Sequence, residues 1–196
     1  MNYGDSHLIH RKATRMPLPP SVQRVTQRLY GTPIIRNSAR GELVEEIVAM
    51  ALEPDWQLCS GDWGACDLVH PASGLRMQVK QSAARQSWHG PDAAPTRGHF
   101  ALAHKTGRCE GDGSWIEQRS RNADLFVFAW HPRTDPATDH RDPDQWRFFV
   151  VSETALPPTQ SLSLTTLRRL ATDVSFDDLK RAVIEQIAIR PLSALR

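Results

Sequence analysis

This sequence has little cysteine, and its cysteines are not closely paired. Cys59, Cys66 and Cys109 are an odd number without a C-x-x-C pair, which argues against both a disulfide framework and a zinc ribbon. Cys59 and Cys66 with His70 would make a loosely spaced zinc site, whereas closed zinc sites usually show tight paired spacing. Buried reduced thiols explain the cysteines better, and a reducing cytoplasm fits them.

Long apolar runs are also missing. The longest, Leu125 to Trp130, is far too short to span a bilayer, and the N-terminus has no apolar signal segment. We therefore expect a cytoplasmic protein that is not exported and has no membrane partner. A chain of 196 residues is long enough for one domain with a sizeable core.

Lysine is scarce, and basic charge is concentrated at the N-terminus. Four of the 24 basic residues are lysines, and the other twenty are arginines. Residues 1–36 carry a net charge of +5 and residues 37–196 a net charge of −3. We interpret residues 1–36 as a basic arm with a short helix from Ser21 to Tyr30, and residues 37–196 as one folded domain. Arginine suits phosphate contacts, although a GC-rich genome produces the same bias.

The stretch from Gly64 to Ser82 organises the rest of the chain. Two short apolar runs, Ala65 to His70 and Leu75 to Lys80, are separated by the turn formers Pro71 to Gly74. This pattern predicts a β-hairpin. Because side chains alternate along a strand, the second run should have one apolar face and one polar face.

The polar face of this hairpin carries Gln78 and Lys80. On the facing strand, Asp67 interrupts an apolar run, where an unpaired carboxylate would be costly to desolvate. We therefore expect Asp67, Gln78 and Lys80 to converge. The alternative is a solvated strand face on which Asp67 pairs with Arg76.

A helix from Ser38 to Glu53 should precede the hairpin. Its first residue is a suitable N-cap, and Pro54 marks its end. With a step of about 100° per residue, Glu42 and Glu46 fall opposite the apolar stripe, whereas Glu45 falls at the edge of the stripe. Glu45 is therefore the carboxylate that we expect to face inward.

The residues of this region have the chemistry of a cation site for phosphodiester hydrolysis. That reaction needs a hard cation held by oxygens, together with an activated water. Glu45 and Asp67 can supply carboxylates, Gln78 an amide oxygen and Val79 a backbone carbonyl. Lys80 can position or deprotonate the water, or offset charge on the phosphate. The pattern predicts a Mg²⁺ site, in which Mn²⁺ could substitute.

Three segments resemble the motif of the PD-(D/E)xK nuclease superfamily: Gly41-x3-Glu45, Asp67-Leu68-Val69 and Gln78-Val79-Lys80. A glutamine in place of the acidic residue is similar to the Mrr-type restriction endonucleases, whose pattern is D…Q-x-K. The resemblance covers residues 38–82. It implies an α/β, restriction-endonuclease-like sandwich with a central mixed sheet of about five strands flanked by helices.

The remaining chain provides further strands and helices for such a fold. Strands are expected at 56–59, 100–103, 124–130 and 146–152, with helices at 164–171 and from Ser175 onwards. Residues 85–122 are either a substrate-covering segment or an ordinary surface loop. Weaker predictions of nucleic-acid contact fall on four residues: Gln81, Ser82, Arg85 and Arg121.

We predict from these features a Mg²⁺-dependent endodeoxyribonuclease of the restriction or defence type, with DNA as partner and a homodimer left open. One alternative is a nucleic-acid-binding module on the same fold that has lost hydrolysis. Another is a junction-resolving or repair nuclease, since target choice depends on loops and dimer geometry rather than on the catalytic strands. The presence of all four catalytic residue types favours the enzyme over the binding module.

Overall fold

The computed structural model describes residues 17–59, 66–90, 92–102, 107–109, 114–117 and 121–189. No helix within these ranges is long and apolar enough to cross a membrane. The described helices are α1 (Pro20–Tyr30), α2 (Asn37–Leu52), α3 (Leu164–Leu170) and α4 (Leu179–Ala188). The described strands are β1 (Gln57–Leu58), β2 (Leu68–His70), β3 (Leu75–Ala83), β4 (His99–Ala101), β5 (Arg108–Cys109), β6 (Trp115–Ile116), β7 (Leu125–His131), β8 (Arg147–Ser152) and β9 (Ser161–Ser163).

A mixed sheet of five strands forms the centre of the fold, in the order β1-β2-β3-β7-β8. Strands β3 and β7 run parallel, and the other neighbouring pairs are antiparallel. Every residue of β7 is buried, and all of them except His131 are apolar, as expected for a strand that is covered on both faces. The predicted α/β fold with about five strands flanked by helices is confirmed.

Apolar side chains pack on both faces of this sheet. On one face, α2 and α4 contribute Val48 and Val183 to a cluster that also contains Met77 of β3. On the other face, Leu167 of α3 and Phe128 of β7 belong to a second cluster. α2 and α4 thus lie on one side of the sheet and α3 on the other, and burial of these side chains drives the assembly.

The β2–β3 hairpin forms where the sequence predicts it, with a shorter first strand. The run from Ala65 to His70 becomes the strand Leu68–His70, and residues 60–65 lie outside the described ranges. Gly74 has a φ of 71°, a conformation that L side chains rarely adopt, and its N–H donates to the carbonyl of His70 at 2.8 Å. A glycine is therefore required at the end of this turn.

Three predicted helix starts differ from the structure. α1 begins at Pro20, one residue before the predicted Ser21. α2 begins at Asn37, one residue before the predicted N-cap Ser38. α4 begins at Leu179. The sequence predicts this helix from Ser175 onwards. Ser175 and Asp178 have the spacing of a capping box, and in the turn before the helix the hydroxyl of Ser175 donates to the carboxylate of Asp178 at 2.9 Å. The spacing of a capping box thus identified the contact between two side chains, but not the first residue of the helix.

Candidate active site

Asp67 lies beside β3 at the start of β2. Its Oδ2 accepts hydrogen bonds from Nε2 of Gln78 and from the backbone N–H of Val79, the second at 2.7 Å. Asp67 is half-buried and Gln78 is buried. The structure therefore brings Asp67, Gln78 and Val79 together, and these bonds satisfy a carboxylate that would otherwise be costly to bury.

Strand β2 covers only the first part of the β3 edge. Its residues pair with Leu75–Met77, whereas β3 continues to Ala83. Beyond Met77, the side chain of Asp67 takes the N–H of Val79 in place of a strand partner. The N–H and C=O groups of one strand residue point to the same edge. The carbonyl of Val79 therefore lies on the edge at which Asp67 sits.

Gln78 and Lys80 share a face of β3 with the aromatic residues of β7. The parallel register places Gln78 opposite Phe126 and Lys80 opposite Phe128, and residues paired in this way point to the same face. Both phenylalanines are buried in the second apolar cluster, whereas Lys80 is half-buried. Lys80 thus lies at the border between an apolar cluster and the polar edge, where its methylene stem can pack.

Glu45 is the most sheltered of the three glutamates of α2. Glu45 is half-buried, while Glu42 and Glu46 are exposed. Its neighbours Val44 and Val48 belong to the first apolar cluster. The predicted helix phase is thereby confirmed, and the sharing of a cation between Glu45 and Asp67 stays a prediction.

The donor set is unlike that of a zinc site. Among the described residues, no three His, Cys, Asp or Glu side chains form a group that could hold a metal ion. The set predicted here needs only two carboxylates, Glu45 and Asp67, because its other donors are an amide and a backbone carbonyl. Such all-oxygen donors suit Mg²⁺ or Mn²⁺ better than Zn²⁺.

The thiols of Cys59 and Cys66 lie next to this region, with 3.3 Å between their sulfur atoms. Both are free. Burial and the neighbouring Cys59 raise the pKa of the Cys66 thiol to about 12. Cys66 therefore stays a protonated thiol at neutral pH in the metal-free protein.

Two of the residues with weaker predictions of nucleic-acid contact are engaged within the protein. The Oε1 of Gln81 accepts from Nε of Arg40 at 2.7 Å. Ser82 is buried, and its hydroxyl oxygen accepts from the backbone N–H of His99 at 3.3 Å. Both side chains thus connect β3 to neighbouring elements, and their contact with DNA stays a prediction.

The two arginines among those predictions differ in their surroundings. Nη2 of Arg121 donates to the carbonyls of Pro157 and Thr159, at 2.5 and 3.1 Å, so this guanidinium holds a loop in place. Arg85 is half-buried and lines an open cavity of about 450 Å³. The other residues around that cavity are Pro33, Ile34, Thr134, Asp135, Pro136 and Thr138.

The sequence predictions missed a buried arginine close to these residues. Arg40 of α2 is 1% exposed, and burial lowers its pKa to about 10. Its position carried a signal, because Arg40 lies four residues before Val44 and seven before Ile47, in line with the apolar stripe of the helix. An arginine on a buried stripe indicates a specific polar partner.

Comparisons with known proteins give no family for this chain. No protein-family model matches it, and no curated protein matches it. A solved structure that does match is that of a bacterial homing endonuclease, with 18% sequence identity, a TM-score of 0.36, and coverage of 65% of this chain and 77% of that chain. Any function of this protein has to be inferred from its own site.

Proposed function

We propose that this protein is a metal-dependent endodeoxyribonuclease of the restriction type, with Glu45, Asp67, Gln78 and Lys80 as its catalytic residues. The observation that carries the proposal is the contact of Asp67 with Gln78 and Val79 at the open edge of β3, two residues from Lys80. The Asp67 carboxylate contacts the Gln78 amide and the N–H of Val79 there, and in our proposal the carbonyl of Val79 and the amine of Lys80 join them. These groups are those that metal-assisted phosphodiester hydrolysis requires.

The residues at this edge fit a Mg²⁺ ion. Both hydrogen bonds to the Asp67 carboxylate use Oδ2, so Oδ1 is the oxygen that would coordinate the cation. The amide of Gln78 would turn its Oε1 toward the ion, and the carbonyl of Val79 already faces this edge. A bound Mg²⁺ would supply positive charge to the transition state and acidify a coordinated water.

Glu45 would complete the site from the neighbouring helix. α2 packs on one face of the sheet, whereas Gln78 lies on the other. A cation shared by Glu45 and Gln78 must therefore sit at the open edge of β3, where Asp67 is. Lys80 would hold the attacking water or offset charge that develops on the phosphate.

The surface around the arm provides contacts for the DNA backbone. α1 has no buried residue, and it exposes Arg24 and Arg28 within an arm whose net charge is +5. Arg85 adds a cation at the cavity beyond β3. In our proposal these three arginines contact phosphates, and they contribute to DNA affinity rather than to sequence specificity.

The test compares matched variants in cleavage and in binding. Asp67→Ala and Lys80→Ala should each lower cleavage of plasmid in Mg²⁺ by a factor on the order of a hundred or more, because each group acts mainly in the transition state. DNA affinity measured in Ca²⁺ should stay within a few-fold. Glu45→Ala should lower cleavage to an extent similar to Asp67→Ala, whereas Glu46→Ala, on the exposed side of the same helix, should behave as wild type.

The binding module without hydrolysis remains the competing hypothesis. It is favoured by one observation, namely that Gln78 and Val79 already satisfy Oδ2 of Asp67 without a cation. If wild type cuts no duplex, junction or single strand in Mg²⁺ or Mn²⁺, and Lys80→Ala weakens binding, the binding module is correct. Cleavage of junctions in preference to duplexes would instead identify a resolving nuclease.

A further inference from the structure

Arg40 connects α2 to β3 and to the segment that follows β3. Its Nε donates to Oε1 of Gln81 at 2.7 Å. Its Nη2 donates to Oδ1 of Asn37 and to Oε1 of Gln86, both at 2.9 Å. Gln81 directly follows Lys80, and Gln86 follows the end of β3. One guanidinium therefore ties the first turn of α2 to the strand that carries the candidate site.

The partners of Arg40 are unusual for a buried cation. All three are neutral amide oxygens, and among the described residues no carboxylate forms a hydrogen bond or ion pair with it. Its Nη1 is buried without a hydrogen-bond partner in the described part of the chain. Burial lowers the pKa of Arg40 to about 10, so the side chain is still charged at neutral pH. A buried charge without a counterion costs free energy that an apolar side chain would not.

A second contact strengthens the same connection. Nε2 of Gln81 donates to the backbone carbonyl of Asn37 at 3.3 Å and to its Oδ1 at 3.1 Å. Gln81 thus contacts α2 through both ends of its amide. The direction of each bond fixes how far α2 is turned about its own axis, which an apolar contact alone would not do.

The rotation of α2 matters for the site because Glu45 has to reach the open edge of β3. A rotation of 20° about the helix axis would move a side-chain tip by about 2 Å, given a helix radius with side chains of about 5 to 6 Å. That distance is about the length of one metal–oxygen bond. The site would therefore lose a ligand if α2 were free to turn.

We propose that Arg40 is a positioning residue of the candidate active site: it locks α2 onto β3 and so holds Glu45 at the cation position beside Asp67 and Gln78. This inference rests on the proposed metal-dependent nuclease. The need to fix the rotation of α2 would explain why a buried charge without a counterion stands at the start of this helix.

The direction in which cation affinity changes when Arg40 is replaced distinguishes a positioning role from a direct electrostatic effect. Through space, removal of a positive charge near a cation site should tighten cation binding. Loss of a positioning residue should weaken cation binding, since Glu45 would no longer be held in place. Supporting contacts of this kind typically contribute about 10- to 100-fold to metal affinity or activity.

The experiment measures Mn²⁺ affinity, by calorimetry or electron paramagnetic resonance, and DNA cleavage for four variants. Arg40→Met and Gln81→Met should each weaken Mn²⁺ binding by about tenfold. The double variant should be little weaker than either single one, because both break the same connection. Cleavage should fall at low Mn²⁺ and recover in part at high Mn²⁺. Arg169→Met, which removes an exposed charge of α3, should match wild type.

The outcomes distinguish this inference from the proposed function. Mn²⁺ affinity of folded Arg40→Met equal to or tighter than that of wild type would overturn the positioning role. Should Arg40→Met fail to fold, the Mn²⁺ affinity of Gln81→Met tests the positioning role in the same way, because Gln81 is half-exposed and its replacement is expected to disturb the core less. A wild type that neither binds Mn²⁺ nor cleaves DNA refutes the proposed function, and the inference with it.

Discussion

At the scale of single residues, the contact between Asp67 and Gln78 explains how an amide can stand next to the carboxylate of the site. Nε2 of Gln78 donates to Oδ2 of Asp67, so the pair is stable before any cation binds. A second carboxylate at position 78 would instead repel Asp67. In the proposed cation site, the glutamine would therefore bind the cation less tightly than a carboxylate, but it leaves Asp67 hydrogen-bonded when no cation is bound.

The variant Gln78→Glu should be less stable than wild type without divalent cations, and it should bind Mg²⁺ more tightly. Without divalent cations, repulsion between two adjacent carboxylates should lower the melting temperature of the variant below that of wild type. With Mg²⁺ the melting temperature should rise more than it does for wild type, because an extra anionic ligand binds a hard cation more tightly. Thermal unfolding in EDTA and in a Mg²⁺ series measures both effects.

Gln78→Met is the matched control for that measurement. It removes the hydrogen bond to Asp67 and the proposed amide ligand without adding charge, so its melting temperature should lie below that of wild type in EDTA and should rise less with Mg²⁺ than that of wild type. A melting temperature of Gln78→Glu that does not respond to Mg²⁺ would contradict a cation site at this edge.

At the scale of elements, two buried histidines attach the connection between β7 and β8 to the core. His131 ends β7, His140 lies in the connection, and both rings are fully buried beside Trp146. The ring centroids of the two histidines are 4.8 Å apart. Nδ1 of His140 accepts from the backbone N–H of Ile35 at 3.1 Å, which attaches the connection to the segment before α2.

Both histidines should make the stability of the fold depend on pH. Burial lowers the pKa of His131 from 6.5 to about 4 and that of His140 to about 3, and the charge of Arg40 adds to both effects. The unfolded chain then binds more protons than the folded one below pH 6.5. Stability is therefore complete above that pH and falls as the pH drops toward the folded values.

Urea unfolding between pH 7 and pH 5 should show this loss, at most about 2 kcal/mol for each histidine. His131→Gln should reduce the slope of the unfolding free energy against pH by the equivalent of about one bound proton. His99→Gln, a change at an exposed histidine, should leave the slope unaltered. A free energy of unfolding that is constant over this interval would show that the two rings are not buried as neutral groups.

At the scale of the whole molecule, charge is divided between the arm and the remaining chain. Residues 1–36 have a net charge of +5, and residues 37–196 a net charge of −3. The candidate site lies in the acidic part, which by itself would repel a nucleic acid. The arm can offset that repulsion, since phosphate contacts by lysine and arginine dominate non-specific affinity.

Deleting residues 1–20 should therefore weaken DNA binding and flatten its dependence on salt, while cleavage of saturating substrate stays intact. The reason is that the deletion removes cations but none of the proposed catalytic residues. Binding isotherms over a series of salt concentrations, beside single-turnover cleavage, provide the measurement. An unchanged affinity and salt slope would mean that this segment does not contact DNA.

The local pattern of the sequence determined which side chains of the strands and of α2 face the core. Alternation along β3 identified which side chains enter the core, and helical phase singled out Glu45 from Glu42 and Glu46. An apolar run identified β7 as a buried central strand. These features depend on neighbours within a few residues, where backbone geometry alone decides which way a side chain points.

The tertiary structure decided the features that join distant segments. Gln81 contacts Arg40 across 41 positions of sequence, and His140 contacts Ile35 across 105. Helical phase indicates that Arg40 needs a polar partner, but no periodicity identifies that partner as Gln81, which the sequence instead predicts as a nucleic-acid contact. Whether a polar side chain meets solvent, a cation or another side chain depends on how the helices and the sheet pack, because burial and hydrogen-bond geometry are set only then.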